Sequence, residues 1–305
     1  MNTSLNFQEL YEYAESVGCD AVKNEKMSLN TSFKTGGPCA VRLSPDSVDQ
    51  LKDIINKANE LSVPFVVLGN GTNVLVTDEG LEKAVIIIGD KMASVSVEDE
   101  DTLCFTAGTN LVSLCRFALE NSLSGLEFAF GIPGTCGGAI FMNAGAYGGE
   151  MKDVLTEITH LTPDMKIETI SAEKAHLSYR HSVYKENGCI ILSAKAKLKK
   201  DTRENIKGRM DDFLGRRKDK QPLEYPSAGS TFKRPEGYFA GALIEQCNLK
   251  GKTVGGAQVS EKHAGFVINK GGATSTDILD LIDLIRETVK TETGVTLEPE
   301  VIVLR

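Results

Sequence analysis

The chain is organised around one glycine-dense segment, Gly131-Ile-Pro-Gly-Thr-Cys-Gly-Gly-Ala-Ile-Phe-Met-Asn-Ala-Gly-Ala-Tyr-Gly-Gly149. Seven of its nineteen residues are glycine, yet Ile132, Ile140, Phe141 and Met142 are interleaved with them, which is not typical of a flexible linker. Glycine allows positive φ and close approach of a ligand to the backbone, and successive N–H groups in such turns bind anions. The segment therefore predicts an ordered loop that binds a phosphate-bearing cofactor. The alternative is a set of packing turns, which would need only one or two glycines per turn.

Length, charge and cysteine content restrict the class of protein. A chain of 305 residues is too long for one ordinary core and predicts two or three domains. The net charge of −8 argues against broad binding to nucleic acid or a membrane surface, and no apolar run reaches the length of a spanning helix. The seven cysteines form no Cys-x-x-Cys pair, so neither a disulfide framework nor a zinc site is predicted. The first residues lack the features of a secretory signal, and we expect a monomeric cytoplasmic protein.

The residues before the glycine segment predict a β-α-β unit. Residues 39–43 and 64–68 have strand patterns, and residues 46–61 between them carry apolar side chains at helical spacing. The second strand runs directly into Gly69-Asn-Gly-Thr-Asn73, and further strand patterns follow. A dinucleotide-binding fingerprint requires a glycine where Val74 stands. Taken alone, this turn is therefore as consistent with a simple turn as with a ligand site.

Other elements and a change in composition suggest how the chain is divided. The patterns predict a helix starting at residues 6–9, hairpins at 94–108 and 155–170, helices at 111–121 and 275–293, and strands at 189–198 and 300–304. Near residue 200 a charged helix begins, and a proline-punctuated connection follows it at 221–226, which is typical of a domain boundary. The composition therefore predicts a domain boundary near residue 200.

Four short segments outside the glycine segment combine reactive side chains with turn residues. They are Tyr179-Arg-His-Ser-Val-Tyr-Lys185, Ala228-Gly-Ser-Thr-Phe232, Lys262-His263 and Leu297-Glu-Pro-Glu300. Each has a structural alternative, because such groups also occur in solvated loops, in simple turns and at protected sheet edges. Ser230 lacks the Gly-x-Ser-x-Gly elbow of a hydrolase nucleophile. The four histidines lack the spacing of metal ligands, so we predict no metal site.

Six motifs in one order give the chain a resemblance to the UDP-N-acetylenolpyruvoylglucosamine reductase family, from about residue 30 to the C-terminus. The motifs are Leu68-Gly-Asn-Gly-Thr-Asn73, Gly131-Ile-Pro-Gly134 with Asn143-Ala-Gly-Ala-Tyr147, Tyr179-Arg-His-Ser182, Gly229-Ser230, Gly255-Gly-Ala-Gln258 and Leu297-Glu-Pro-Glu300. One such match is weak, whereas six in sequence are specific. The chain resembles the shorter, second subtype, because the insertion after Ser230 and the tyrosine loop of the longer subtype are missing.

The resemblance implies a fold class and a cofactor. It implies an α+β protein with a two-part FAD-binding region of the vanillyl-alcohol oxidase/PCMH type and a smaller α+β substrate-binding domain. Residues 1–88, with the N-terminal helix, and 89–199 would be the two FAD-binding subdomains, 200–295 the substrate-binding domain and 296–305 the strand carrying a catalytic glutamate. The residues it assigns to FAD are Gly69, Asn70, Gly71, Thr72, Asn73, Gly131, Ile132, Pro133, Gly134, Gly137, Gly138, Asn143, Ala144, Gly145 and Ala146.

The resemblance also assigns catalytic and substrate-binding residues. Arg180 falls on the family's catalytic arginine, Ser230 on its proton-donating serine and Glu300 on its acidic residue. The residues assigned to the substrate are Tyr179, Lys220, Arg234 and His263. Arg234 stands where the longer subtype has an asparagine, which changes the expected contacts with the uridine diphosphate.

The implied reaction is the NADPH-dependent reduction of UDP-N-acetylglucosamine enolpyruvate to UDP-N-acetylmuramate through bound FAD, in peptidoglycan precursor synthesis. Arg180 would stabilise charge that develops on the substrate carboxylate, Ser230 would deliver a proton, and Glu300 could assist only as a protonated carboxyl. No separate Rossmann motif is visible, which favours NADPH and substrate alternating at one site. Two alternatives are another oxidoreductase on the same flavin scaffold, which would consume oxygen without needing Ser230, and a nucleotide-sugar-binding protein without activity.

Overall fold

A computed structural model describes residues 3–305, with side chains from Asn6 onward. These residues form two compact units. The first unit comprises the chain up to Lys23, Val41–Asn70 and Lys83–Arg216, and the second comprises Asn24–Ala40, Gly71–Glu82 and Arg217–Arg305. Met1 and Asn2, which begin the predicted subdomain of residues 1–88, lie outside the described residues. The division into 1–88, 89–199, 200–295 and 296–305 stays a prediction.

Helices and strands both occur throughout the described residues. The helices are α1 (Thr3–Ser16), α2 (Val48–Glu60), α3 (Leu111–Glu120), α4 (Cys136–Phe141), α5 (Arg203–Lys220), α6 (Ala240–Gln246) and α7 (Ser275–Thr293). The strands are β1 (Asp20–Lys23), β2 (Cys39–Ser44), β3 (Phe65–Leu68), β4 (Val74–Val76), β5 (Leu81–Ile87), β6 (Val95–Val97), β7 (Thr102–Thr106), β8 (Leu123–Ser124), β9 (Gly145–Ala146), β10 (Gly149–Glu150), β11 (Leu155–Leu161), β12 (Ile167–Ser171), β13 (Ile190–Lys197), β14 (Lys199–Lys200), β15 (Thr253–Val254), β16 (Ala257–Val259), β17 (Val267–Asn269) and β18 (Ile302–Leu304). The chain is an α+β protein, as expected.

A four-stranded sheet of the first unit has the order β1–β2–β5–β3, with β3 parallel to β5. Helix α2 connects β2 to β3 and begins where the Ser47 hydroxyl accepts a hydrogen bond from the Gln50 N–H at 3.3 Å. Its apolar stripe, which includes Leu51 and Ile55, is buried against the core. The predicted β-α-β unit is thereby confirmed, and β3 ends directly before the Gly69 turn.

A five-stranded sheet of the same unit has the order β12–β11–β13–β7–β6, and all neighbouring strands are antiparallel. The two predicted hairpins are confirmed as β6–β7 and β11–β12. Apolar side chains from both sheets and from α2 and α3 form one core, which also contains Cys136, Ala139 and Ile140 of the glycine segment. The glycine segment is therefore anchored in packed structure rather than looped away from it.

The second unit is built around α7, whose buried stripe includes Ile278, Leu281 and Ile285. The helix begins with a capping box between Thr274 and Asp277. It ends at Gly294, which has φ +76, so the predicted helix at 275–293 is confirmed. Strands β15, β16 and β17 form an antiparallel sheet, and β18 pairs in parallel with β4. The C-terminal strand is thereby placed beside the chain that leaves the Gly69 turn.

Two local predictions differ from the structure. Helix α1 begins at Thr3, so the capping box predicted at residues 6–9 was wrong; the Asn6 carboxamide instead donates to the Leu61 carbonyl at 2.8 Å. The glycine segment contains the short helix α4, which the sequence did not reveal because two of its six residues are glycine. Thr135 starts this helix by accepting a hydrogen bond from the Gly138 N–H.

Neither a membrane span nor a metal cluster is found in the described chain. No helix from residue 3 onward is long and apolar enough to cross a membrane. Likewise, the same residues contain no group of three or more histidine, cysteine, aspartate or glutamate side chains arranged to hold a metal ion.

Candidate active site

The two glycine segments of the sequence meet in the first unit. A Cβ atom at Gly69, directly after β3, would lie 2.2 Å from the Thr135 hydroxyl oxygen. That hydroxyl is already used to cap α4 through the Gly138 N–H. A side chain at residue 69 would therefore displace Thr135 and disturb the start of α4.

Spare backbone donors are found at the start of the second glycine segment. Gly131 and Gly134 have φ +89 and +134, and their N–H groups donate to no acceptor within the described chain. By contrast, the N–H groups of Cys136 and Gly137 donate to the carbonyls of Thr109 and Ala107. Since buried or half-buried N–H groups normally find a partner, the region from Gly131 to Gly134 suits an anionic ligand such as a pyrophosphate.

The end of the same segment is held by close backbone packing. Gly145 lies in β9, and a Cβ atom there would lie 2.7 Å from the Gly149 carbonyl oxygen of β10. The Asn143 side chain is fully buried and bonds to Glu150, Ser178 and Lys152. A cofactor contact at residue 143 is therefore left to its main chain.

The Gly71 turn is shaped by a neighbouring segment of the second unit. Gly71 has φ +60, and a Cβ atom there would lie 2.0 Å from the Asn30 carbonyl oxygen. The Ser32 N–H donates to the Gly71 carbonyl at 3.1 Å, and the Ser32 hydroxyl donates to the Ser227 carbonyl at 2.6 Å. Nearby in sequence, the buried Thr35 hydroxyl has no hydrogen-bond partner among the described residues. Gly71 is thus less tolerant of a side chain than Gly69, because it has positive φ and meets backbone atoms.

The predicted acid Glu300 is attached to the predicted cofactor-binding turn. The Asn73 carboxamide donates to the Glu300 carbonyl at 3.3 Å, and the Ile302 N–H donates to the Asn73 carbonyl at 3.0 Å. Both bonds continue the parallel pairing of β18 with β4. The main chain around Glu300 is therefore fixed to the end of the Gly71 turn within the second unit.

Thr231 brings Ser230 and Glu300 into one hydrogen-bonded strand arrangement. The Thr231 carbonyl accepts the Glu300 N–H at 2.8 Å, and the Thr231 N–H donates to the Gly265 carbonyl at 2.8 Å. Its buried hydroxyl accepts the Val267 N–H at 2.9 Å. Two residues that the sequence places 70 positions apart are thus held on adjacent chain segments. Ser230 precedes Thr231 directly, and Glu300 is hydrogen-bonded to it.

His263 lies beside this arrangement as a neutral hydrogen-bonding group. A Cβ atom at Gly265 would lie 3.0 Å from the His263 ring and 3.6 Å from the Ser230 hydroxyl oxygen. The His263 Nδ1 atom accepts the Gly265 N–H at 3.1 Å, so the ring proton is on Nε2. Burial lowers the pKa of His263. The ring can therefore donate a hydrogen bond from Nε2 without carrying a charge.

Arg180 lies in a strained turn of the first unit. Ser178 and His181 exchange two hydrogen bonds of 3.1 Å across the turn, and Arg180 between them has φ +54. A left-handed conformation is uncommon for arginine and is found mainly at sites where the surroundings enforce it. The guanidinium lies 5.1 Å from the centre of the exposed Tyr179 ring. The turn therefore presents a cation and an aromatic ring together at the surface of the unit.

Two further residues predicted to bind substrate lie at exposed positions of the second unit. Lys220 is the last residue of α5 and is exposed. The Arg234 guanidinium lies 4.0 Å from the centre of the Phe239 ring and donates to the Tyr238 carbonyl at 3.3 Å. Because Tyr238 and Phe239 are both at least half exposed, this region offers a cation with aromatic faces, which suits a nucleotide.

An ion pair between the buried Glu127 and Arg209, which sequence reasoning missed, lies just before the glycine segment in the chain. The buried Glu127 carboxylate accepts hydrogen bonds from the Ser124 hydroxyl, the Gly125 N–H and the Arg209 guanidinium of α5 at 2.7–3.0 Å. Burial raises the pKa of Glu127, but these donors outweigh burial and hold the pKa below its ordinary value. One helical turn later, Phe213 stacks on Tyr147 with ring centres 4.8 Å apart. Only the spacing of the two α5 residues, four apart on one face, signalled this arrangement.

Replacing Gly69 with alanine is expected to weaken FAD binding by about tenfold or more, because the new Cβ displaces Thr135 and with it the start of α4. The measurement is the dissociation constant for FAD after reconstitution of the flavin-free protein, followed by flavin fluorescence. The matched control is Gly208→Ala in α5, where a Cβ meets nothing within 4 Å. Wild-type FAD affinity in Gly69→Ala would contradict the assignment of this turn to the cofactor.

Comparison with known proteins identifies relatives over nearly the whole chain. Residues 221–304 match the family model of the UDP-N-acetylenolpyruvoylglucosamine reductase C-terminal domain, and residues 39–171 match that of an FAD binding domain. A UDP-N-acetylenolpyruvoylglucosamine reductase of Syntrophomonas wolfei is 47% identical over 278 residues, which is 91% of this chain and 93% of that protein. One of Clostridium novyi is 49% identical over 283 residues, 92% of each chain. The crystal structure of UDP-N-acetylenolpyruvylglucosamine reductase from Thermus caldophilus is 34% identical, has a TM-score of 0.81 and covers 94% of this chain and 99% of that chain.

Proposed function

Because the chain belongs to the UDP-N-acetylenolpyruvoylglucosamine reductase family, we propose that it reduces UDP-N-acetylglucosamine enolpyruvate to UDP-N-acetylmuramate in peptidoglycan precursor synthesis. It is an FAD-dependent oxidoreductase with the two-part FAD-binding region of that family, and NADPH is its co-substrate. The observation in this chain that carries the proposal is the contact between the two glycine segments at Gly69 and Thr135. Shortly before Thr135, the N–H groups of Gly131 and Gly134 donate to no acceptor among the described residues and are available to a pyrophosphate.

The proposed FAD-binding residues are those of the two glycine segments. Gly69–Asn73 and Gly131–Gly134 would contact the pyrophosphate, since the N–H groups of Gly131 and Gly134 donate to no acceptor among the described residues. Gly137 would contribute through close packing on Ala107, and Gly138 and Asn143–Ala146 through the main chain. A Cβ at Gly69, Gly71 or Gly145 would collide with the neighbouring chain, so packing keeps these positions as glycine, and the fit to FAD rests on the unbonded N–H groups of Gly131 and Gly134. When bound, FAD supplies the hydride that NADPH provides, and the protein supplies position and electrostatic stabilisation.

Arg180 is proposed to stabilise the charge that reduction creates. As the methylene carbon of the enolpyruvyl group is reduced, negative charge develops on the conjugated carboxylate of the substrate. A cation fixed at that carboxylate interacts most strongly when the charge is greatest, which lowers the barrier. The strained turn favours this role, because a left-handed backbone at Arg180 persists only where the surroundings enforce it and orients the residue before substrate arrives.

Ser230 is proposed to deliver the proton to the neighbouring carbon, with Glu300 close to it in the fold. A serine hydroxyl is a weak acid, so it needs a hydrogen-bonded neighbour to act as donor. The His263 ring, which lies beside Ser230 across Gly265, is a candidate for that neighbour. Glu300 assists only as a protonated carboxyl, because an ionised one would oppose the developing negative charge.

The substrate is proposed to be held by Tyr179, Lys220, Arg234 and His263. The Lys220 and Arg234 cations suit the diphosphate. The Phe239 ring, together with the Arg234 guanidinium over it, suits the uridine. The nucleotide-sugar class of substrate follows from the family. We further propose a cytoplasmic monomer, which agrees with the peptidoglycan precursor role.

The direct test is to purify the protein and follow NADPH oxidation with and without the enolpyruvyl substrate. We expect a yellow protein whose NADPH oxidation depends on UDP-N-acetylglucosamine enolpyruvate and not on UDP-N-acetylglucosamine, which lacks the enol ether. Product formation is measured by mass spectrometry as a gain of two hydrogens. NADPH oxidation that depends on oxygen alone would favour an oxidase, and substrate binding without turnover would favour a binding protein.

A further inference from the structure

The turn that carries Arg180 is attached to the glycine segment at both of its ends. At one end, the Ser178 carbonyl accepts a hydrogen bond of 2.9 Å from the Asn143 carboxamide. At the other, the Ser182 hydroxyl donates to the Phe141 carbonyl at 2.7 Å. Asn143 and Ser182 are both fully buried. Both attachments thus reach one short piece of chain at the end of α4.

The Asn143 carboxamide cannot change its orientation without losing hydrogen bonds. Its nitrogen donates to the Glu150 carboxylate at 2.6 Å as well as to Ser178, and its oxygen accepts the Lys152 N–H at 3.0 Å. A flipped amide would place oxygen against two acceptors, which is unfavourable in a buried site. Its backbone also has φ +42, which asparagine tolerates better than most residues. Residue 143 is therefore specified by both side chain and backbone.

We propose that Asn143 and Ser182 are positioning residues that hold the Arg180 turn in the orientation needed for reduction of the substrate. The left-handed backbone of Arg180 is a conformation that persists only where the surroundings enforce it. Hydrogen bonds to buried groups on both sides of the turn supply that enforcement. This role depends on the charge-stabilising function proposed for Arg180. It links the cation to the segment that binds FAD, so that both move as one body.

Small displacements of a charge-stabilising group are costly for the rate. A misplacement of about 1 Å can lower a rate by about 100-fold, even when the altered residue does not touch the reacting atoms. Loss of either attachment lets the turn relax towards an unstrained backbone and moves the guanidinium. The expected consequence is a slower substrate half-reaction, with flavin reduction by NADPH unchanged.

The experiment measures the two half-reactions of the FAD-loaded enzyme separately by anaerobic stopped flow. Asn143→Asp keeps the size of the side chain and its acceptor for Lys152 but removes the donor to Ser178 and places a second carboxylate beside Glu150. Ser182→Ala removes the other attachment. We expect each variant to slow oxidation of reduced flavin by the enolpyruvyl substrate by roughly 10- to 100-fold, and we expect Ser182→Ala to leave the rate of flavin reduction by NADPH unchanged. Hydrogen exchange at the His181 amide, protected by Ser178, should become faster.

The matched control is Asn187→Asp, because the hydrogen bond of that side chain, from the Cys189 N–H to its oxygen, survives the change. In an Arg180→Ala background, Asn143→Asp should add no further loss if it acts through Arg180. An added loss of the same size in the Arg180→Ala background would overturn the positioning role. An equal fall in flavin reduction by NADPH in Ser182→Ala would overturn it as well.

Two outcomes separate this role from the function on which it depends. A slow Arg180→Ala enzyme together with wild-type rates in both Asn143→Asp and Ser182→Ala would overturn the positioning role alone. A wild-type substrate half-reaction in Arg180→Ala would overturn the charge-stabilising function and the positioning role together. If Asn143→Asp fails to fold, Ser182→Ala decides the matter by the same measurements.

Discussion

Replacing Ser230 with alanine is expected to slow the oxidation of reduced flavin by the enolpyruvyl substrate by roughly 100- to 10,000-fold, the range typical for loss of a general acid. Reduction of the flavin by NADPH should be unchanged, because that step needs no proton from Ser230. The effect should be specific, since the Ser230 hydroxyl donates to the Phe232 carbonyl of its own loop at 3.3 Å and not to Thr231. Removing it therefore leaves the hydrogen bonds of Thr231 intact.

The measurement for Ser230 is anaerobic stopped flow of both half-reactions. Ser227→Ala is the matched control, as the same substitution three residues away in the same loop. Equal rates of substrate reduction in Ser230→Ala and wild type would remove Ser230 from the mechanism. A fall in both half-reactions would instead indicate that the variant disturbs the site as a whole.

Replacing Arg180 with alanine is expected to lower the rate of substrate reduction by more than about tenfold, which corresponds to about 1.4 kcal/mol of lost transition-state stabilisation. The physical reason is that the cation acts on charge that is largest in the transition state, so kcat falls together with kcat/KM. Arg180→Lys should recover some of the rate, because it keeps the charge but not the planar guanidinium.

The control for Arg180 is Arg116→Ala, which removes an exposed arginine from α3 of the same unit. Both variants should retain FAD and the wild-type rate of flavin reduction by NADPH. A loss of less than about tenfold in Arg180→Ala, or a rise in KM alone, would mean that Arg180 contributes binding rather than charge stabilisation.

Local patterns in the sequence predicted much of the fold correctly. The β-α-β unit, the hairpins β6–β7 and β11–β12, and the helix α7 with its Gly294 end all follow from periodicity, capping and turn residues within a few positions. The failures were also local. Helix α1 starts earlier than its apparent capping box, and α4 is hidden by two glycines, of which Gly137 packs closely against Ala107.

The candidate site was predicted as a set of residues but not as an arrangement. Motif order indicated Arg180, Ser230 and Glu300 because their residue types and neighbours resemble those of one family. Nothing in that resemblance indicated that Thr231 would join Ser230 to Glu300, or that a buried Glu127 would be satisfied by Arg209. Such partners leave no periodic signal, since any segment with the right group can supply them.

The sequence alone determined which segments must be glycine-lined backbone, which chemical groups are available, and the family to which the chain belongs. Only the tertiary structure decided which distant groups meet: Asn73 with Glu300 across 227 positions, Glu127 with Arg209 across 82, and Asn143 with Ser178 across 35. The physical reason is that φ preferences and side-chain periodicity act over a few residues. Hydrogen-bond partners for a buried group are instead set by packing of the whole unit.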